Sequence, residues 1–101
     1  MEVIGVLKLS EFWKQHKRAK EPLERWQMVA EKANWKNFAQ VKQTFNDADW
    51  IKTFHRSFVV FDIGGNKYRL ITAINFKGQV VVIDVVLTHT EYDKGKWKDL
   101  L

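Results

Sequence analysis

The sequence predicts an α+β fold in which two N-terminal helices pack on an antiparallel β-meander. Three observations support this fold class. Apolar residues recur at helical spacing in the first third of the chain, and the period changes to two from Ser57 onward. Three β-rich runs then follow one another, separated only by short turns that contain glycine. Turns of this kind join antiparallel neighbours.

The composition fits one domain spanning residues 1–101. Domains most often contain about 100–150 residues, and a hydrophobic fraction of 46% is ample for a core. The absence of cysteine excludes disulfides and thiolate metal sites. We find no signal peptide and no apolar run that approaches the roughly 20 residues of a membrane span. We therefore expect a cytoplasmic protein without a membrane partner.

The charge balance suits a polyanionic partner. Lys and Arg number 17 against 12 Asp and Glu, which gives a net charge of +5. A positive protein gains affinity for nucleic acid and associates with it quickly. A lysine-rich solvated surface explains the same balance, so charge alone leaves both interpretations open.

The helical part of the chain follows a short strand expected at residues 2–7. Ser10 is predicted to cap the first helix, with Glu11 in its first turn, and Pro22 suits the first position of the second helix. The apolar face of the first helix is predicted to contain Leu9, Phe12, Trp13 and His16. The buried stripe of the second helix is predicted to contain Leu23, Trp26, Met28 or Val29, Ala30 and Ala33.

The strands occupy the second half of the chain. A short third helix is expected after Asn37, then a turn at 46–49 and a short strand at 50–54. The three strands of the meander are expected at 57–63, 67–76 and 80–88. The last of them is apolar on both faces, with Val81, Ile83, Val85 and Leu87 alternating with Val80, Val82 and Val86. It is therefore expected to be central in the sheet, and a short helix is expected within 91–101.

Two basic side chains mark one face of the second meander strand. Lys67 and Arg69 are expected about 7 Å apart, two residues along the strand, a spacing that suits the two sides of a phosphate. Arg is able to hold a phosphate through two hydrogen bonds. The alternative is that both cations only solvate an exposed sheet face. The preceding Gly64-Gly65-Asn66 is interpreted as a hairpin turn that needs positive φ, because no helix follows it to bind an anion.

Proton-transfer candidates follow the last strand. His89 lies where that strand ends, and histidine is the side chain best suited to exchange a proton near neutral pH. Tyr92 is three residues further on, where a phenol is able to stack on a base or transfer a proton. A lone histidine is more often structural, and a half-buried ring at the sheet edge explains Tyr92 as well.

A basic tail with one aromatic residue closes the chain. Its members Lys94, Lys96, Trp97 and Lys98 suit phosphate contacts and base stacking. A solvated helix with Trp97 packed on the core is an equally good interpretation. No spacing of Asp, Glu and His in the sequence indicates a metal site.

Two segments together resemble a known family. The run GGNKYRL at 64–70, followed by LTHTEYD at 87–93, resembles the HigB toxins of the RelE-like superfamily in bacterial type II toxin–antitoxin systems. The resemblance covers residues 57–98 well, and the N-terminal half only in length and helical order. It implies the compact α+β fold of RelE and microbial ribonucleases.

The resemblance also implies an activity and its partners. These toxins are mRNA interferases, endoribonucleases that cleave mRNA, typically in the ribosomal A site, and thereby inhibit translation. A HigA-type antitoxin with a helix-turn-helix neutralises them, and operator DNA is contacted only through that antitoxin. No metal and no other cofactor is expected, because the 2′-hydroxyl of the substrate attacks the adjacent phosphate.

By this resemblance, Arg69 is expected to stabilise the phosphate in the transition state, with Lys67 assisting. His89 is the expected general acid or base, and Tyr92 is expected to stack on a base or take the second proton role. RNA binding is expected from Lys94, Lys96, Lys98 and Trp97. The alternative from a different class is a non-catalytic RNA-binding or regulatory module that uses the same basic sheet face.

Overall fold

A computed structural model, which describes residues 1–101, contains a five-stranded sheet with helices on both faces. The elements along the chain are β1 (Glu2–Ile4), α1 (Leu7–Gln15), α2 (Lys20–Lys32), α3 (Phe38–Thr44), β2 (Asp49–Lys52), β3 (Ser57–Ile63), β4 (Tyr68–Asn75), β5 (Val80–Thr88), α4 (His89–Lys94) and α5 (Trp97–Leu100). The α+β class and the meander of β3, β4 and β5 are confirmed. None of the helices combines the length and apolarity needed to cross a bilayer.

The sheet is mixed rather than wholly antiparallel. Its strand order is β1-β5-β4-β3-β2, and every pair is antiparallel except β1 with β5. A strand of three residues carries no sequence signal for its direction of pairing, so this parallel edge was not predicted. The apolar strand β5 lies inside the sheet as expected, although β4 is the middle strand.

The first two helices cover one face of the sheet and form the main core. Leu9 from α1 and Leu23 and Trp26 from α2 are almost fully buried. Met28 and Val29 are 56% and 39% exposed, so their predicted place in the buried stripe is wrong. The stripe follows Leu23, Trp26 and Ala30 at the i, i+3, i+7 spacing of a single helix face.

The helix starts agree only partly with prediction. The helix expected after Asn37 is present as α3, and Asn37 caps it, since its Oδ1 accepts a hydrogen bond from the Gln40 backbone N–H at 3.0 Å. The predicted cap at Ser10 is wrong because α1 already begins at Leu7, and the Ser10 hydroxyl donates to the Leu7 carbonyl. Pro22 lies in the first turn of α2, two residues after its start.

A β-bulge in β5 changes which of its residues face the core. The register of β4 against β5 shifts between Ile71 and Thr72, so that Asp84 has no partner in β4. Val81 and Ile83 face the N-terminal helices, whereas Val85 packs on the opposite face. The strict alternation predicted for β5 is therefore wrong beyond Ile83, because a bulge inserts one extra residue. Its consequence is that Leu87 is opposite Arg69.

The outer edge of β5 is only partly covered by β1. The parallel pairing ends at the register pair Ile4 and Val82. Immediately beyond it, the Lys8 ammonium donates to the backbone carbonyls of Ile83 at 3.4 Å and Asp84 at 3.0 Å. A side chain of α1 thus occupies the first carbonyls that β1 leaves unpaired.

Leu70 provides a test of the main core. It lies on the middle strand, is fully buried and faces the N-terminal helices. Leu70→Ala is expected to lower the free energy of unfolding by about 2–5 kcal/mol, because it removes apolar contacts and leaves a cavity. Urea denaturation measures this change. Leu7→Ala, at a side chain that is 72% exposed, is the control, and an equal loss in both variants would contradict this description of the core.

Candidate functional site

Arg69 is the centre of a polar cluster on the sheet face that α4 and α5 cover. It lies opposite Asp62 in the register of β3 and β4, and its Nε is 3.2 Å from Asp62 Oδ1. Arg69 is only 9% exposed. The first predicted site residue is therefore a largely buried cation paired with a carboxylate.

The hairpin before β4 holds the same guanidinium. Arg69 Nη2 donates to Asn66 Oδ1 at 2.6 Å, and Nη1 donates to the backbone carbonyls of Asn66 and Tyr68. These hydrogen bonds come from both Nη atoms, and Nε makes the ion pair with Asp62. Nη2 has a second N–H for which the structure shows no hydrogen bond. Gly64 and Gly65 have φ of 66° and 73°, as the predicted turn requires.

Tyr92 lies against this cation. Its ring centroid is 5.5 Å from Arg69 Cζ, and its ring stacks on Trp97 at 5.3 Å and 17°. Trp97 is 4% exposed and also packs edge-on against Phe58. The predicted base-stacking role of Trp97 is therefore wrong, because no face of its ring is free. Trp97 instead supports Tyr92.

The environment keeps the Tyr92 phenol protonated. Burial raises its pKa above the usual tyrosine value, and the carboxylate of Asp49 adds to this effect, while Arg69 opposes it. A phenol with a raised pKa retains its proton at neutral pH. Tyr92 is therefore in its protonated form at neutral pH, in which a phenol donates a hydrogen bond and carries a proton available for transfer.

The pKa of Asp62 is also raised above its ordinary value. Burial raises the pKa of its carboxyl, and Arg69 only partly offsets this. The carboxylates of Asp47 and Asp49 raise the pKa further, and His89 lowers it. The loss of hydration thus outweighs the attraction of the paired arginine.

His89 is positioned by the junction of β5 and α4. Its backbone N–H donates to the Lys67 carbonyl at 2.9 Å, which continues the β4–β5 ladder by one residue. Thr88 and Glu91 form a capping box that starts α4 at His89. The imidazole Nδ1 is 2.8 Å from Asp93 Oδ2. A carboxylate at Nδ1 favours the tautomer in which Nε2 is a proton acceptor.

The predicted lysines are all exposed. Lys67 lies in the turn just before β4 rather than within the strand, and its backbone adjoins His89. Lys94, Lys96 and Lys98 project from the C-terminal helical segment, where Lys98 Nζ is 5.8 Å from the centre of the Trp97 ring. The structure therefore brings Lys67, Arg69, His89 and Tyr92 to one end of one sheet face.

Sequence reasoning missed three residues of this cluster. Asp62 and Asn66 hold Arg69, and Asp93 holds His89. Two signals were available. Asp93 follows His89 by four residues, the spacing of neighbours on a helix. Asp62 and Arg69 are opposite charges on the two strands of one hairpin, where cross-strand partners are expected to interact.

Comparison with known proteins gives one family match. A model of the HigB toxin family, described as the RelE-like toxic component of a toxin-antitoxin system, matches residues 19–95. The matched range includes α2, the whole β-meander and α4. No curated protein gives a significant match.

The raised pKa of Asp62 predicts a pH-dependent stability. The folded protein binds the Asp62 proton more tightly than the unfolded chain does, so this group contributes less stability as pH rises from 3.8 through its raised folded pKa. The Asp62→Asn variant lacks this ionisable carboxyl. Urea unfolding of both proteins across that interval is expected to show wild type losing stability relative to the variant as pH rises. A constant or opposite difference would contradict the assigned direction.

Proposed function

Because the chain belongs to the HigB toxin family, the RelE-like toxic components of toxin–antitoxin systems, we propose that it is an mRNA interferase. In this role it cleaves mRNA as an endoribonuclease and inhibits translation. The observation that carries the proposal is the convergence of two cations, an imidazole and a phenol at one end of one sheet face. Phosphodiester cleavage needs charge stabilisation and two proton transfers, and these side chains are suited to supply both.

We assign the proton acceptor to His89. Asp93 orients the ring through Nδ1, so Nε2 is free to remove the proton of the ribose 2′-hydroxyl. That oxygen then attacks the adjacent phosphorus, and the bond to the 5′-oxygen of the next nucleotide breaks. Tyr92, with its raised pKa, supplies a proton to this leaving oxygen. The products are a 2′,3′-cyclic phosphate and a 5′-hydroxyl.

The cations stabilise the negative charge that develops on the phosphate. Lys67 is exposed in the turn and adjoins His89, which suits direct contact with a phosphate oxygen. Arg69 contributes its remaining Nη2 N–H and its positive charge from a fixed position. A preorganised donor stabilises a transition state without the cost of reorienting during the reaction. No metal has a role in this scheme.

The proposed RNA contacts, place of cleavage and antitoxin partner follow from the same family membership. The exposed Lys94, Lys96 and Lys98 are proposed to hold messenger or ribosomal RNA, and cleavage is proposed to occur in the ribosomal A site in the cytoplasm. A toxin of such a system has an antitoxin partner. We propose a HigA-type antitoxin with a helix-turn-helix, through which operator DNA is contacted.

One observation favours the alternative of a non-catalytic RNA-binding module. All three nitrogens of the Arg69 guanidinium already contact oxygen atoms of the protein, which leaves this cation little capacity for a phosphate. A module of this kind would bind RNA without cutting it. Incubation of the purified chain with translating ribosomes, followed by mapping of mRNA ends, separates the two functions.

His89→Ala is expected to lower mRNA cleavage by about 100- to 10,000-fold, the usual contribution of a general base. Fold and melting temperature are expected to remain close to wild type, since the imidazole is part-exposed and pairs with the exposed side chain of Asp93. The matched control is His55→Ala, at an exposed histidine outside the cluster. Full activity of His89→Ala would overturn the assignment of the base.

Lys67→Ala is expected to lower cleavage by about ten- to a hundredfold, because a hydrogen bond to a charged group contributes about 1.5–3 kcal/mol. The matched control is Lys77→Ala, at an exposed lysine in the turn at the opposite end of β4. Single-turnover cleavage rates of the two variants measure the difference. Equal rates would show that only the net charge of the protein matters.

A further inference from the structure

An apolar groove lies beside the candidate site, between the end of β5 and the C-terminal helical segment. It has a volume of about 350 Å³, and its apolar walls are Val85, Leu87, Trp97, Leu100 and Leu101. We refer to it as the C-terminal groove. The N-terminal helices cover the other face of the sheet, so they leave this groove open.

The C-terminal groove exposes apolar surface to water, which is energetically unfavourable. Leu100 is 82% exposed at its rim, and Val85 and Leu87 are only partly buried. A groove of this size is within the range of ligand sites. Contiguous exposed apolar surface with a polar rim is typical of protein-binding sites.

Lysines outnumber carboxylates among the charged residues that line this apolar surface. Lys94 and Lys96 line the groove and are exposed. The carboxylate of Glu91, also at the rim, accepts a hydrogen bond from the Thr88 backbone N–H. It is therefore already part of the capping box at the start of α4. The charges at the rim therefore complement an acidic partner.

The walls of the groove do not suit a nucleotide base. Four of its five apolar residues are aliphatic, and the ring of Trp97 is covered by Tyr92 and Phe58. The indole N–H of Trp97 already donates to the Tyr92 carbonyl at 3.2 Å. Bases are recognised by exposed stacking faces and free polar groups, and these walls present neither.

We propose that the C-terminal groove is the docking site for the antitoxin, which inserts apolar side chains from a segment with acidic flanking residues. The proposal rests on the toxin role of the chain and adds the surface and the chemistry of its partner. An amphipathic segment that lays its apolar side in a groove is a common mode of peptide recognition.

Occupation of this groove also provides a mechanism of neutralisation. The rim residue Lys94 is on α4, the helix that carries His89 and Tyr92. An acidic segment bound there pairs with lysines that the proposed function assigns to RNA. Antitoxin and RNA therefore compete for the same positive charges, and the affinity for the antitoxin falls as salt rises.

Leu100→Glu tests the docking site. The substitution places a negative charge at the groove rim, where it repels an acidic segment, and the high exposure of Leu100 leaves the fold unaffected. Leu7→Glu is the matched control, since Leu7 is 72% exposed and does not line the groove. The probe is the purified HigA-type antitoxin that the proposed function pairs with this chain. Calorimetry measures its affinity, and cleavage of mRNA is assayed in parallel.

We expect Leu100→Glu to weaken antitoxin binding at least about tenfold and Leu7→Glu to leave it unchanged. Because the lysines at the rim are also assigned to RNA, mRNA cleavage is expected to fall in Leu100→Glu as well. Unchanged antitoxin affinity in Leu100→Glu would overturn the proposal, and if cleavage alone falls, the groove is an RNA site instead. If wild type binds the antitoxin but cuts no RNA, the enzymatic function fails while the binding comparison still decides the docking site.

Discussion

The register of β4 against β5 is the constraint from which the candidate site follows. One extra residue at Asp84 interrupts the alternation of β5. The residues after the bulge therefore face the side of the sheet opposite to the one predicted by strict alternation. Arg69 and Leu87 become register partners, and the ladder continues to Lys67 and His89. Without the bulge, His89 would leave the sheet on the face that the N-terminal helices occupy. Bulges commonly redirect side chains beside functional sites, and this one brings an imidazole to the face of the buried arginine.

Arg69 positions the other elements of the site and offers few free donors to a substrate. Its guanidinium is fixed by Asp62 and Asn66 and lies against the ring of Tyr92. A buried cation held this way orders the hairpin, the end of β3 and the first turn of α4 around one charge. Most of its donors are consumed in the process. The exposed Lys67 and the part-exposed His89 are consequently the groups best placed to contact a substrate first.

Much of the fold was readable from the sequence because helical and alternating periods report burial directly. The three meander strands, the short helix after Asn37 and the glycine turn were predicted correctly. The parallel edge and the bulge were not, since both depend on pairing between distant segments. The candidate residues Lys67, Arg69, His89 and Tyr92 were chosen by chemical type at or beside strand ends, and the structure groups them at one end of the sheet. The burial of Trp97 and the pairing of Arg69 with Asp62 and Asn66 arise from tertiary packing and became visible only in the structure.

The contact of Lys8 with the edge of β5 bears on how this protein behaves in a crowded cell. A sheet edge with free carbonyls is a template for a strand from another molecule, which is a route to aggregation. The Lys8 ammonium engages the carbonyls of Ile83 and Asp84 just where β1 ends. A foreign strand would have to displace this hydrogen-bonded cation before it could pair. One flexible side chain thus occupies the part of the β5 edge that a three-residue strand is too short to cover, and it opposes strand pairing at that point.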